Sequence, residues 1–343
     1  MKKNINIAVI GCSGMAKGHM KGVIENEGAN LYAVCDKYAD LVEGAKKEFD
    51  VAVGTTDYLE LANDPNVDAA ILVVPDKLHL PMTKAFLEAG KAVLCEKPMA
   101  LTVAECEEMM EIEKKTGGFL MIGQVCRFTP AFVKAKELIS SGKIGELVFV
   151  ESEYAHCYEK SRGKDDWRVD PDRHGFIGGG CHAVDLLRWI AGNPTEVYAH
   201  ANRKLLPDWP VNDTSIAIYK FPNDVMGKVF VSIGCRRDYT MRSVFYGTKG
   251  TIICDNTSDS MKLFVDDRDL TKEKASYTEA EIIPVDIKNH NVGSEIKMFL
   301  EALTSGKESP LSSIEGASTV AVCAASVEAA RIGKPVEIKY PER

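Results

Sequence analysis

Ile5-Asn-Ile-Ala-Val-Ile-Gly11-Cys-Ser-Gly14-Met15-Ala16 is the stretch that decides the fold. A short apolar run, of strand length, stops at a glycine, and a helix-like segment continues from the second glycine to about Glu27. Glycine lets such a turn tighten and lets backbone approach a ligand. The helix start then offers unpaired N–H groups and the positive end of a dipole. The next strand, Leu31-Tyr-Ala-Val-Cys35, ends at Asp36, where a carboxylate can bind both hydroxyls of a ribose. Gly11, Ser13, Gly14, Met15, Ala16 and Asp36 are therefore candidate contacts of a dinucleotide. The usual pattern is G-x-G-x-x-G/A, and here Ser13 stands at the second glycine. Serine is small and its hydroxyl can donate to phosphate, so the change is read as tolerated. Asp36 repels a 2′-phosphate and favours NAD over NADP; Lys37 beside it softens that preference, so NADP stays admissible.

Working outward, a helix runs through Phe49, and Asp68–Val74 is a buried strand stopped by Pro75-Asp76. A helix at about 80–89 closes at Gly90, as helices often do at glycine. Ala92–Cys95, Thr102–Thr116 and Phe119–Gly123 then read as strand, helix and strand. Alternation of this kind predicts a doubly wound parallel sheet, a Rossmann-type domain over residues 1–125. The pattern changes beyond it. After a helix at about 130–141, strand-like runs occur at Leu147–Tyr154, Glu196–Ala201, Ser215–Phe221, Val225–Ile233, Ser243–Tyr246 and Thr251–Cys254. Pro222-Asn-Asp224 and Gly247-Thr-Lys-Gly250 read as tight turns, so the sheet is expected to be mostly antiparallel. Residues 126–343 form a second α/β domain in this reading, with helices 181–191 and 292–304 as candidates to cover one sheet face.

The bulk properties bound the function. A chain of 343 residues suggests two domains, and 45% hydrophobic content supplies real cores. A net charge of −8 without a basic block argues against nucleic acid as a partner. No apolar run approaches the roughly 20 residues that span a bilayer. The first residues lack the long apolar region of a signal peptide, so the cytoplasm is the expected location. Ten cysteines without a CxxC pair read as small buried apolar residues in a reducing compartment.

Three further motifs carry chemistry. Val74-Pro75-Asp76-x-x-His79 follows a buried strand; His79 is either a packing residue at a helix start or part of a site wall. Lys91-Ala-Val-Leu-Cys-Glu96-Lys97-Pro98 places a lysine at the end of another strand. Near a nicotinamide such a lysine can hold a substrate hydroxyl and stabilise developing alkoxide charge. Gly178-Gly-Gly-Cys-His182-Ala-Val-Asp185 puts His182 and Asp185 on one helix face, and a histidine, with its ordinary pKa of about 6.5, suits proton exchange with a carbinol. Tyr154 and the pair Trp167-Arg168 offer the aromatic faces and planar donors that suit a polyol. His156-Cys157 and Cys181-His182 are adjacent His/Cys pairs, but no familiar ligand spacing supports a metal, and none is expected.

With these motifs in hand, the chain resembles the Gfo/Idh/MocA family, that is, glucose-fructose oxidoreductase, inositol dehydrogenase and their relatives. The resemblance spans essentially the whole length. It rests on the glycine loop with Asp36, Pro75-Asp-x-x-His79, Glu96-Lys97-Pro98, Gly-Gln-x-x-Arg127-Phe128 and His182-x-x-Asp185. It implies a Rossmann domain followed by an α/β domain with a large open sheet, through which homodimers or homotetramers often form. It also implies NAD(P)-dependent oxidation or reduction of a secondary alcohol on a sugar, sugar derivative or cyclitol. Carried over, Lys97 and His182 are the catalytic pair, and Pro75, His79, Glu96, Lys97 and Lys37 join the cofactor contacts. Arg127, Tyr154, Trp167, Arg168, His182 and Asp185 are expected to meet substrate. Many members carry an aspartate four residues before the histidine; here that position is Gly178, and Asp166, Asp170, Asp172 and His174 are the candidates to replace it. Two rival functions exist among relatives: transient oxidation that ends in net glycoside cleavage, and a non-catalytic dinucleotide sensor. Retention of both Lys97 and His182 argues against the sensor.

Overall fold

The computed structural model describes residues 4–162, 164–266, 268 and 279–342. The chain divides into two compact units. One contains Met1–Val125, Asn291–Val320 and Tyr340–Arg343; the other contains Cys126–His290 and Ala321–Lys339. A first boundary at 125/126 remains our proposal for the domain division.

In the first unit, β1 (Ile5–Ile10), α1 (Met15–Glu25), β2 (Ala29–Cys35), α2 (Ala39–Phe49), β3 (Val53–Thr55), α3 (Tyr58–Asn63), β4 (Ala69–Leu72), α4 (His79–Glu88), β5 (Ala92–Glu96), α5 (Val103–Thr116) and β6 (Leu120–Gly123) alternate along the chain. The six strands form one parallel sheet in the order β3-β2-β1-β4-β5-β6. Strand order reverses direction between β1 and β4. The carboxyl ends of those strands are where an open α/β sheet takes its ligand. β4 and β5 are buried along their whole length, as expected of strands covered on both faces. A capping box starts α5: the Thr102 hydroxyl accepts from the Glu105 N–H, and Glu105 accepts from the Thr102 N–H.

The second unit contains α6 (Pro130–Ser140), β7 (Leu147–Ala155), the single turn α7 (Gly175–Gly178), α8 (Cys181–Ala191), β8 (Glu196–Asn202), β9 (Thr214–Lys220), β10 (Met226–Ser232), β11 (Arg242–Gly247), β12 (Gly250–Asp255), β13 (Ser260–Val265) and β14 (Glu281–Pro284). Later in the chain come α9 (Val292–Ser305), α10 (Ser313–Ile332) and β15 (Val336–Glu337). Among the described residues nine strands make the second sheet, in the order β14-β13-β12-β11-β7-β10-β9-β8-β15. Only β7 and β10 run parallel among these pairs. The two turns expected from Pro222-Asn-Asp224 and Gly247–Gly250 join antiparallel neighbours, and Asp224 takes the left-handed conformation (φ 60°) in the first of them.

Helix α8 packs on β7 and β10 as expected. The helix at 292–304, the second candidate, falls in the other unit. It is α9, grouped with the first unit, where it lies along α1. Ile296 packs over Gly22 there: a Cβ on Gly22 would come within 2.7 Å of the Ile296 Cδ1. On β9 the side chains alternate, with Ser215, Ala217 and Tyr219 buried while Ile216 and Ile218 are exposed. Met226 and Tyr246, on β10 and β11, are exposed as well.

Gly11 fixes the turn after β1. Its φ is +105°, and a Cβ would run into the Val73 carbonyl. Gly11→Ala therefore combines a disfavoured conformation with a backbone collision, and it should cost at least about 2 kcal/mol of unfolding free energy. Urea denaturation of the two proteins measures this; equal midpoints would contradict it.

Candidate active site

The first unit presents a dinucleotide cradle. β1 delivers the chain to Gly11, and Gly14 (φ +53°) caps α1 with open space around its Cα. Among the described residues no side chain caps α1; the Ala16 N–H turns back to the Ser13 carbonyl at 3.0 Å, and the positive end of the helix dipole faces the turn. Ser13, Gly14 and Met15 are exposed at this turn, and Ala16 is buried beneath it. The Asp36 carboxylate accepts from the Cys12 N–H at 2.9 Å and the Tyr38 N–H at 3.1 Å. It thereby ties the end of β2 to the glycine loop while keeping further lone pairs for ribose hydroxyls. Burial, and then the Asp36 charge, push the Cys12 and Cys35 thiols up to about 12, so both stay protonated. Lys37 lies over the Tyr38 ring, 4.8 Å from its centroid. These residues fit an adenine dinucleotide: a glycine that could not carry a Cβ, an uncapped helix start and a fixed carboxylate.

His79 is 1% exposed, so it is a brace rather than an open wall. Its Nδ1 lies 2.8 Å from the Pro98 carbonyl oxygen and its Nε2 lies 3.1 Å from that of Val74. Two carbonyl acceptors suit a ring that donates from both nitrogens. Burial disfavours that charge, but Cys95, Asp76 and the Pro98 carbonyl outweigh it and push the pKa up to about 10. His79 thus joins the segment after β4, where Pro75 is half-buried, to the Glu96-Lys97-Pro98 turn at the end of β5.

Beside that turn lies a group that sequence reading missed. The Glu96 carboxylate meets His19 Nε2 at 2.8 Å and accepts from the Lys97 N–H at 3.1 Å. Glu295, on α9, completes a cluster in which one donor atom each from His19, Glu96 and Glu295 lie within 4.8 Å of one another. Glu295 is fully buried, and among the described residues neither carboxylate oxygen has a hydrogen-bond partner. Burial first, then repulsion from Glu96, hold its carboxyl well above the usual range; the Lys97 charge offsets part of this. Lys97 itself is half-buried.

In the second unit, Arg127 and Asp185 satisfy each other. Arg127 Nε donates to Asp185 Oδ2 at 2.8 Å and Nη2 donates to Oδ1 at 2.7 Å, both residues being buried. The two residues expected to meet substrate are thus foremost a structural pair, which ties the segment after residue 125 to α8. His182, in the first turn of α8, is buried. It stacks on Tyr154 (ring centroids 5.9 Å apart, interplanar angle 23°) and lies 5.4 Å from the His290 ring. Its Nδ1 is 3.2 Å from Cys126 Sγ.

Tyr154 also reaches His156 Nδ1 at 3.1 Å and the Tyr158 hydroxyl at 3.2 Å, and Tyr239 packs edge-on against it. Burial, and then its tyrosine neighbours, hold the Tyr154 phenol well above 10, so it stays protonated. Two guanidinium groups lie over the Trp167 ring, with Arg168 Cζ at 4.2 Å and Arg173 Cζ at 4.8 Å from its centroid. Both arginines also lie over Tyr158, so Trp167-Arg168 joins the cluster around Tyr154.

The space expected for the family aspartate is filled from an unexpected side. A Cβ on Gly178 would meet the Arg173 guanidinium, and Arg173 Nη2 donates to the Gly178 carbonyl at 2.9 Å. Of the candidate substitutes, His174 accepts from the Phe176 N–H through Nδ1 at 3.1 Å, and burial pulls its pKa down to about 4, so it is a neutral helix cap. Asp170 closes its own turn by accepting from the Asp172 N–H, Asp172 is exposed, and Asp166 is exposed near Arg162. The pairs His156-Cys157 and Cys181-His182 do not form one ligand cluster among the described residues; the cluster that contains His182 draws on Cys126 and His290.

Residues 5–124 match the sequence profile described as the oxidoreductase family with NAD-binding Rossmann fold, GFO/IDH/MocA, and residues 132–253 match the GFO/IDH/MocA C-terminal domain. The chain belongs to this family. It is 30% identical to inositol 2-dehydrogenase 2 of Saccharopolyspora erythraea over 72% of each chain. An uncharacterised oxidoreductase of Bacillus subtilis is 26% identical over 100% of this chain and 99% of its own. A levoglucosan dehydrogenase solved in complex with NADH superposes with a TM-score of 0.88 at 21% identity, over 99% of this chain and 100% of the other, and so shares the fold. The family member described here is an oxidoreductase with an NAD-binding Rossmann domain. Among the described residues no helix is long and apolar enough to cross a membrane.

Two variants test the charges. Unfolded glutamate titrates near pH 4.3, whereas folded Glu295 keeps its proton to higher pH. The folded state then binds more protons than the unfolded one above that pH, so Glu295 lowers stability increasingly as pH rises. Glu295→Gln should be the more stable protein at pH 8, with the gap closing toward about pH 4.5; urea midpoints across that range would refute this if the gap is constant. Asp185→Asn should cost about 3–5 kcal/mol, because it strands the buried Arg127, and the same measurement reads it.

Proposed function

We propose that this protein is an NAD-dependent dehydrogenase acting on a secondary alcohol of a sugar, sugar derivative or cyclitol. The observation that carries the reading is Lys97, half-buried at the carboxyl end of β5 in an NAD-binding Rossmann unit and held next to the buried Glu96. The names of relatives supply the substrate class: one is an inositol 2-dehydrogenase and a structural neighbour is a levoglucosan dehydrogenase.

NAD, when bound, supplies the hydride acceptor. Gly11, Ser13, Gly14, Met15 and Ala16 receive its pyrophosphate, and Asp36 takes the adenosine ribose hydroxyls. Pro75, His79 and Glu96 keep the strand ends that border it in place. Lys97 holds the carbinol oxygen and stabilises charge that develops on it. His182 accepts the hydroxyl proton, since the basic nitrogen of a neutral imidazole suits that exchange near neutrality. Tyr154, Trp167 and Arg168 offer ring faces and donors to the remaining C–H patches and hydroxyls. The protein works in the cytoplasm, as a homodimer or homotetramer; the exposed Ile216, Ile218, Met226 and Tyr246 on the second sheet support assembly through that face.

The test is NADH formation from NAD with a panel of inositols, free sugars and anhydrosugars. Lys97→Ala should lower kcat at least about 100-fold on any substrate found, and normal turnover in that variant would overturn the reading. Nicotinamide recovered in stoichiometric amount from the denatured, untreated protein would instead favour a redox-neutral cycle on glycosides.

A further inference from the structure

Cys126, His182 and His290 come from three separate parts of the second unit: the 3₁₀ turn Val125–Phe128, the first turn of α8, and the segment just before α9. One donor atom from each lies within 4.8 Å of the others. Cys126 and His182 are buried and His290 is half-buried, so the cluster has a closed side and an open side. Cys126 Sγ lies 3.2 Å from His182 Nδ1. Tetrahedral zinc, with bonds of about 2.3 Å to sulfur and about 2.0 Å to nitrogen, separates such ligands by roughly 3.5 Å. The Cys126–His182 spacing therefore needs only a few tenths of an ångström of adjustment, and His290, within 4.8 Å of both, closes the set by a side-chain movement. The surroundings are soft and ordered: Met241 Sδ lies 3.4 Å from Cys126 Sγ, and the Tyr239 hydroxyl lies 3.3 Å from His290 Nε2. An outer hydrogen bond on one ring nitrogen is what orients a ligating histidine.

We propose that Cys126, His182 and His290 form a binding site for a zinc-class divalent cation, and that its occupation switches the dehydrogenase off. One thiolate and two imidazoles select a borderline-soft ion over magnesium or calcium. Three protein ligands leave a fourth position open on the side of the half-buried His290. Binding forms one metal–sulfur and two metal–nitrogen bonds and releases the Cys126 thiol proton to solvent. No electron is transferred. Metal on His182 Nδ1 leaves its Nε2 carrying hydrogen, so the ring can donate there but can no longer accept a proton. This consequence rests on the proposed role of His182 as proton acceptor; the site itself does not.

The experiment uses the full-length protein, stripped with a chelator and then titrated separately with Zn²⁺ and Co²⁺. Metal content after gel filtration should reach one ion per chain, and the Co²⁺ form should show a thiolate-to-cobalt charge-transfer band. Cys126→Ser should lose that band and weaken binding at least about 100-fold, beyond what loss of an outer partner alone costs. His290→Gln, with a half-buried site of substitution, should weaken binding while leaving the thermal transition in place, which separates ligand loss from misfolding. Saturating zinc should lower turnover at least tenfold, restored by chelator. Absence of any bound ion, or an unchanged cobalt band in Cys126→Ser, overturns the site. Activation by zinc overturns the switch. A stripped protein that binds zinc as described but oxidises no polyol leaves the site standing and refutes the dehydrogenase reading instead.

Discussion

The buried ion pair between Arg127 and Asp185 is the constraint on which the second unit's chemistry depends. Neither charge would tolerate its position alone, since an unpaired ion in such surroundings loses several kcal/mol of solvation. The two hydrogen bonds fix the direction of both side chains, because a guanidinium fork meets a carboxylate in one plane. That clamp sets where the turn carrying Cys126 lies against α8, and so brings Cys126 beside His182. A histidine in the first turn of a helix is thereby given a fixed ring plane, a stacked tyrosine on one side and a thiol at one nitrogen. The pair also shows why polar residues in a site motif need not touch ligand: their work is to hold the neighbours that do.

Much of the first unit is legible in the sequence because its signals are local. A strand that stops at Gly11, a helix that starts at Gly14 and an acid at the end of β2 each follow from backbone geometry within a few residues. The parallel arrangement of β1, β2, β4, β5 and β6 follows from alternation, and Lys97 at the end of β5 from the apolar run before it; β3, three residues long, and α3 after it carry too short a pattern to be read. The antiparallel character of the second sheet is equally readable from its turns.

What escapes such reading are contacts between distant parts of the chain. His19 and Glu96 are 77 residues apart, and Glu295 lies far beyond both. No periodicity marks Glu295 as different from other glutamates on an amphipathic helix; only its burial against Glu96 and Lys97 does. The helix that carries it has a pattern that would serve equally as cover for the second sheet; it belongs to the first unit, where Ile296 packs over Gly22 of α1. His290 is invisible for the same reason. His79 is the reverse case, a motif residue whose two ring nitrogens face backbone carbonyls.

Gly178 has a consequence for how this sequence can change. The space that a side chain would need there is taken by the Arg173 guanidinium, which is itself stacked on Trp167 and Tyr158 and bonded to the Gly178 carbonyl. The two positions are therefore not independent. A side chain at 178 requires the Arg173 guanidinium to give up its present place, and with it the contacts to Trp167 and Tyr158. A substitution at either position is then felt at the other and, through Arg173, at Trp167 and Tyr158.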